Sequence, residues 1–172
     1  MIGRTLLFNG KKIIGLIIAR GGSKGLPGKN LLPLGGQPLI SWSVAAGKKS
    51  KYLDRLVLSS DDDQIIATAN NCGCEVPFVR PTELATDDTS ASAVVLHALG
   101  ALKEQYDYLV LLQATSPFRT AKDIDTCIEN CILRNAATLV TVCAVSKSPY
   151  WMYHVDQETH RISHFTEPLS DD

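Results

Sequence analysis

Arg20, Ser23, Lys24 and Lys29 lie close together in the run IIGLIIARGGSKGLPGKN, residues 13–30, interleaved with Gly21, Gly22, Gly25, Pro27 and Gly28. A strand cannot continue through so many glycines and a proline, so the chain leaves the sheet here with backbone N–H groups able to point at a ligand. Three cations beside such donors have the composition of a phosphate cradle. It is not a Walker A loop. Counting back from Gly28-Lys29 places Ser23 at the first glycine position and Asn30 where a magnesium-holding hydroxyl belongs. Nor is it a dinucleotide fingerprint, because no two glycines sit two apart with a third three residues later. The competing reading is a surface turn whose lysines are merely solvated.

Three more polar stretches follow apolar runs. They are Ser59-Ser60-Asp61-Asp62-Asp63, then Arg80 through Asp88, then Gln113-Ala114-Thr115-Ser116-Pro117-Phe118-Arg119. Carboxylates at a helix start usually cap it, so Asp61 to Asp63 read as structural, and Thr120 with Asp123 has the spacing of a capping box. Arg80 has two readings, a ligand contact or a salt-bridge partner of Asp87-Asp88. His154, His160 and His164 lack the cysteine framework or His-Glu-x-x-His spacing of a zinc site. Cys127 and Cys131 lie one helical turn apart on an apolar face, which favours packing.

The elements that must carry these loops alternate. Strands are expected at residues 13–19, 55–59, 75–79, 108–112 and 138–145, and helices at 38–48, 61–71, 90–104 and 121–133. Nearly continuous apolar strands separated by helices mean a largely parallel sheet buried between two helical layers. Ligands on such sheets bind beyond the carboxyl ends of the strands, where all four polar loops would converge.

The whole composition agrees with this. The chain has 172 residues, is 45% hydrophobic and 20% charged, and carries a net charge of -1. It is long enough for a single well-formed core, and the near-neutral charge argues against nucleic-acid or membrane-surface binding. Its longest apolar stretch falls far short of the ~20 residues that span a bilayer, and the first ten residues lack a signal peptide's apolar segment, so a cytoplasmic protein is expected. Five cysteines, an odd number mostly in apolar contexts, suit reduced core thiols. The organisation read from these patterns is an N-terminal extension (1–12), a nucleotide-binding α/β core (13–146) and an excursion rich in aromatics and histidines (147–172).

The stretches IARGGSKGLPGKN, LPLGGQPLISW, LVLSSDDDQI, RPTELATDDT and LLQATSPFRT, in this order, resemble the cytidylyltransferases that activate acidic sugars, above all the CMP-N-acylneuraminate synthetases that act on neuraminic and legionaminic acids. The resemblance runs from about Lys12 to the end. It implies a three-layer α/β/α Rossmann-like nucleotide-diphospho-sugar transferase fold and the start of a dimerisation lobe. It also implies a reaction for surface-glycan synthesis, in which the anomeric hydroxyl of a nine-carbon acidic sugar attacks the α-phosphorus of CTP with Mg2+ assistance, releasing pyrophosphate, in a homodimer.

Carried over by resemblance, Arg20, Lys24 and Lys29 are the catalytic cations, with Lys29 foremost for transition-state charge. Ala19, Gly21, Gly22, Ser23, Asn30, Arg80, Asp87, Ser90, Gln113 and Ser116 are substrate-binding. Among these, Arg80 and Ser90 fall near the base and ribose, and Gln113 near the ribose or acceptor. No metal ligand is assigned. Two departures stand out. Ala114 replaces a proline of the family pattern, and the family's Asp-x-Asp and Asn-Gly segments would fall beyond Asp172, Asp171-Asp172 being a different motif, so a truncated chain is expected. A nucleotide-binding module without catalysis, and an enzyme for an octulosonate or pseudaminate acceptor, are the alternatives. Gly25-Leu26-Pro27-Gly28 resembles the neuraminate-type loop more than the pseudaminate one.

Overall fold

The computed structural model describes residues 8–144 and 147–166, so most of the N-terminal extension, Val145, Ser146 and the Asp171-Asp172 pair lie outside the described residues. At its centre is a parallel sheet of three strands, β1 (Ile13–Ile18), β4 (Arg55–Ser59) and β5 (Tyr108–Gln113), in the order β4-β1-β5. Ile18 is in register with Ser59 on one side and Gln113 on the other, which brings three strand ends to one rim. Between β1 and β4 the chain makes a small hairpin, β2 (Pro33–Leu34) with β3 (Gln37–Pro38), turning through Gly35 and Gly36 at positive φ.

The central strand is covered on both faces, as its unbroken apolar run requires. Ile13 and Ile17 pack with residues of α1 (Leu39–Lys48), α2 (Asp63–Asn71) and α4 (Ala121–Leu133), including Val44, Ala69 and Ile128. On the opposite face Ile14 and Leu16 pack with Ala98 of α3 (Ala91–Ala101) and with Leu102. This is the expected three-layer α/β/α architecture. The chain runs from β1 outward to β4 and then returns to β5 on the other side of β1. That reversal opens a crevice beyond the strand ends, the usual ligand position in open α/β sheets.

Two expected strands do not form. Glu75 makes one parallel bridge to Val57, with Leu58 N–H donating to its carbonyl at 2.8 Å, but the ladder stops there. Pro77 has no N–H to extend it, and Val79 is 61% exposed. Residues 138–144 join no sheet, and Val142 is 90% exposed. A β-branched run becomes a strand only where a free sheet edge takes up its backbone groups. Helix ends also shift. Asp62 and Ser90 are caps rather than helical residues, and α3 ends at Ala101 rather than Glu104.

The chain divides into two compact units between Leu139 and Val140. In the second, a hairpin of β6 (Tyr153–Val155) and β7 (Ile162–His164) exposes Trp151, Val155, Ile162 and Phe165. His164 stacks on Tyr153 and His154 on Phe165, with centroids 4.8 and 4.9 Å apart. The cysteines are free thiols, but not all are core thiols as expected. Cys74 is buried, Cys72, Cys127 and Cys131 are half-buried, and Cys143 is exposed.

Candidate active site

Beyond Ile18 the chain adds one ladder bond, Ala19 N–H to the Ser59 carbonyl at 3.2 Å, and then turns away from the sheet. Gly21 is required where it stands, since a Cβ there would lie 2.6 Å from Asp62 Oδ2. Its N–H donates to Asp61 Oδ1 at 3.2 Å. The loop ends at Gly28, whose φ of 62° starts a single 3-10 turn over Lys29–Leu31. Asn30, 5% exposed, donates from Nδ2 to the Arg20 carbonyl at 2.9 Å and ties the far end of the loop to its beginning.

The loop encloses one side of a cleft of about 470 Å³, lined by Ile18, Ala19, Arg20, Ser23, Lys24 and Gly25, by Lys29 and Asn30, by Asp87, and by Gln113, Ala114 and Thr115. Its charge is concentrated in four side chains. Asp87 bridges two cations, accepting from Arg20 Nη2 through one oxygen and pairing with Lys24 Nζ at 2.5 Å through the other. Arg20 Nη1 also donates to the Thr86 carbonyl. Lys24 first and Arg20 second hold the Asp87 carboxyl below the usual carboxylate range. Lys29 makes no ion pair among the described residues. Three cations against one carboxylate leave the cleft with two net positive charges, a setting for an anion of higher charge than a carboxylate.

On the opposite rim, β5 ends at Gln113. Its carbonyl accepts from Ser43 Oγ at 3.2 Å and from Arg119 Nη2 at 3.3 Å, while Arg119 Nη2 also donates to Ser43 Oγ at 3.1 Å. Burial lowers the Arg119 pKa. A backbone turn, Ser116 N–H to the Gln113 carbonyl at 3.2 Å, takes the chain away toward the Thr120-Asp123 capping box of α4.

Of the residues singled out from sequence, the cleft gathers Ala19, Arg20, Ser23, Lys24, Lys29, Asn30, Asp87 and Gln113. Gly21, Gly22, Arg80, Ser90 and Ser116 do not line it. Ser90 caps α3, accepting from Ala93 N–H at 3.2 Å. Arg80 is 5% exposed and pairs with Asp61, 3.2 Å away, rather than with Asp87-Asp88. Asp61 is therefore more than a helix-start carboxylate, and the cap itself is Asp62, which accepts from Gln64 and Ile65 N–H at 2.9 Å each. Thr115, Ile18, Gly25 and Ala114 line the cleft without having been assigned. Thr115 could have been found from its position in the loop after β5, two residues past Gln113.

The residues present do not build a magnesium cage. Among the described residues no cluster of three or more His, Cys, Asp or Glu could hold a metal ion, and the single carboxylate lining the cleft is committed to Arg20 and Lys24. Nor is any described helix long and apolar enough to cross a membrane.

Comparison with known proteins converges on one group. The family described as Cytidylyltransferase matches residues 14–162. The chain is 35% identical over 150 residues to the CMP-N,N'-diacetyllegionaminic acid synthase of Legionella pneumophila, covering 86% of this chain and 64% of that protein. It is 45% identical over 112 residues to the pseudaminic acid cytidylyltransferase of Campylobacter jejuni, covering 63% of this chain and 48% of the relative. A solved structure of CMP:2-keto-3-deoxy-manno-octonic acid synthetase complexed with CTP shares the fold, with a TM-score of 0.63 and 22% identity over 73% of this chain and 49% of that one. The chain thus spans less than two thirds of the curated relatives it matches.

Proposed function

The chain belongs to the cytidylyltransferase family, and from that premise we propose that its cleft binds CTP and transfers CMP to an acidic nine-carbon sugar of the neuraminate or legionaminate type. The sugar's anomeric hydroxyl attacks the α-phosphorus and releases its proton to solvent, the bond from that phosphorus to the bridging oxygen breaks, and pyrophosphate leaves. In-line displacement of this kind asks for alignment and charge neutralisation rather than a nucleophilic side chain. The observation that carries the reading is the convergence of Arg20, Lys24 and Lys29 on a cleft at the carboxyl ends of β1 and β5.

Within it, Arg20 holds two phosphate oxygens through its planar fork, while the compact ammonium of Lys29 follows charge onto the departing pyrophosphate. Ser23, Asn30 and the backbone of Ala19 and the glycines complete the phosphate and nucleoside contacts, with Gln113 and Thr115 facing the ribose or acceptor. Magnesium, which prefers phosphate oxygens, would be held by the nucleotide rather than by side chains of this cleft and would supply further charge neutralisation there. The core of this activity is residues 13–146. The exposed aromatics of the β6–β7 hairpin are anchors of a homodimer. The setting is the cytoplasm, in keeping with five free thiols.

The test is selective stabilisation and turnover. CTP raises the melting temperature more than ATP or GTP does, and pyrophosphate is released when CTP and an acidic nine-carbon sugar are both present. Lys29→Ala abolishes release while leaving the circular dichroism spectrum unchanged. Equal shifts with all three nucleotides would remove the cytidine assignment, and wild-type release by Lys29→Ala would remove the role given to that lysine.

A further inference from the structure

The buried pair Asp61–Arg80 lies directly under the one arginine of the cleft. Its side chains are 16% and 4% exposed, and apart from the ion pair its hydrogen bonds go to the backbone on either side of Arg20, while Arg80 Nε is buried without a partner. Arg80 Nη2 donates to the Ala19 carbonyl at 2.8 Å as well as to Asp61 Oδ1, and that same oxygen accepts the Gly21 N–H. The Ala19 carbonyl belongs to the peptide plane before the Arg20 Cα, and the Gly21 N–H to the plane after it. Peptide units are rigid, so pinning both planes fixes φ and ψ of Arg20 and hence the direction of its Cα–Cβ bond. Asn30, bonded to the Arg20 carbonyl, holds the second plane from its other edge. Arg80 is in turn located by its own N–H, which donates to the Ser60 carbonyl at 2.8 Å, at the end of β4.

We propose that Asp61 and Arg80 are positioning residues that aim the Arg20 guanidinium into the cleft, acting through the Ala19 carbonyl and the Gly21 amide. This rests on the proposed function, in which Arg20 holds phosphate. An aimed guanidinium loses less side-chain freedom when an anion binds, so its contribution to affinity depends on the pair beneath it. That dependence makes the coupling measurable.

The experiment is a mutant cycle read by calorimetric titration with inorganic tripolyphosphate, which needs no turnover. The double variant Asp61→Ala/Arg80→Met removes both charges together, so that neither is left buried alone. In the wild-type background, Arg20→Ala and Lys29→Ala each weaken binding about tenfold. In the double-variant background, Arg20→Ala costs less than about twofold, while Lys29→Ala keeps its full effect. A general loss of structure would shrink both effects alike.

The proposal is overturned if the double variant binds like wild type, or if Arg20→Ala costs the same factor in both backgrounds. If the double variant does not fold, Arg80→Lys, which keeps the charge but loses the fork, goes through the same cycle and is judged by the same outcomes. Wild-type protein that fails to bind tripolyphosphate would overturn the proposed function and this inference with it. Wild-type binding with an unchanged cycle overturns this inference alone.

Discussion

Asp87 shows how differently one residue reads in sequence and in space. In sequence it is one of two adjacent aspartates in a polar loop, with Arg80 as a candidate partner. In the structure it sits in the cleft across Arg20 and Lys24, each carboxylate oxygen on one cation. A phosphate entering the cleft must compete with that carboxylate for both side chains. Asp87→Asn is therefore expected to tighten tripolyphosphate binding about threefold at low salt, the scale of a partly exposed ion pair, with the gain shrinking as salt screens it. Weaker binding by the variant would mean that Asp87 orients the cations for the ligand instead. Reactivity separates the cysteines in the same residue-by-residue way. Burial pushes the Cys74 thiol up to about 12, whereas Cys143 is exposed. Iodoacetamide on the folded protein should modify Cys143 first and leave Cys74 until unfolding, as mass spectrometry of the digested protein would register. Early labelling of Cys74 would contradict its place in the core.

Between elements, the glycine-lysine loop and the start of α2 share one crowded contact. Gly21 faces Asp62, and Asp62 cannot move aside without giving up its bonds to Gln64 and Ile65 N–H. Gly21→Ala should therefore cost about 1–2 kcal/mol, the worth of an N-cap, and weaken polyphosphate binding at the same time. Gly22→Ala is the control. Nothing lies within 4 Å of the Cβ it would add, so its melting temperature should stay at the wild-type value. Equal melting temperatures for the two variants would mean the loop yields freely. This coupling also marks the limit of what sequence could reveal. Periodicity and apolar runs located β1, β4, β5 and all four helices to within a few residues, because burial on both faces imposes that pattern. The glycine-lysine bend and Gln113 were legible for the same reason, since polar residues after buried strands have few other positions. The cap at Asp62 was legible as well, but the ion pair of Asp61 was not, because adjacent carboxylates at a helix start differ only in which group each one meets. The run at 138–144 misled because strand composition says nothing about an available edge.

At the scale of the molecule, the division between Leu139 and Val140 falls after every described residue that lines the cleft. Among the described residues, every buried apolar residue lies between Ile13 and Ile128, the three parallel strands end at Gln113, and the residues lining the cleft lie between Ile18 and Thr115. The second unit contributes a short hairpin whose strand residues are all exposed. A chain of this first unit's size buries roughly two thirds of the surface its unfolded form exposes, enough for independent folding. A protein ending at Leu139 is thus predicted to unfold in one cooperative transition, within about 3 °C of the full chain, a shift corresponding to less than ~1 kcal/mol. It should bind tripolyphosphate with unchanged affinity. Calorimetric melting and titration of the shortened and full chains decide the matter. A broad, non-cooperative transition would show that the sheet depends on the second unit for its stability. Cooperative melting with binding lost would show that residues beyond Leu139 hold the anion.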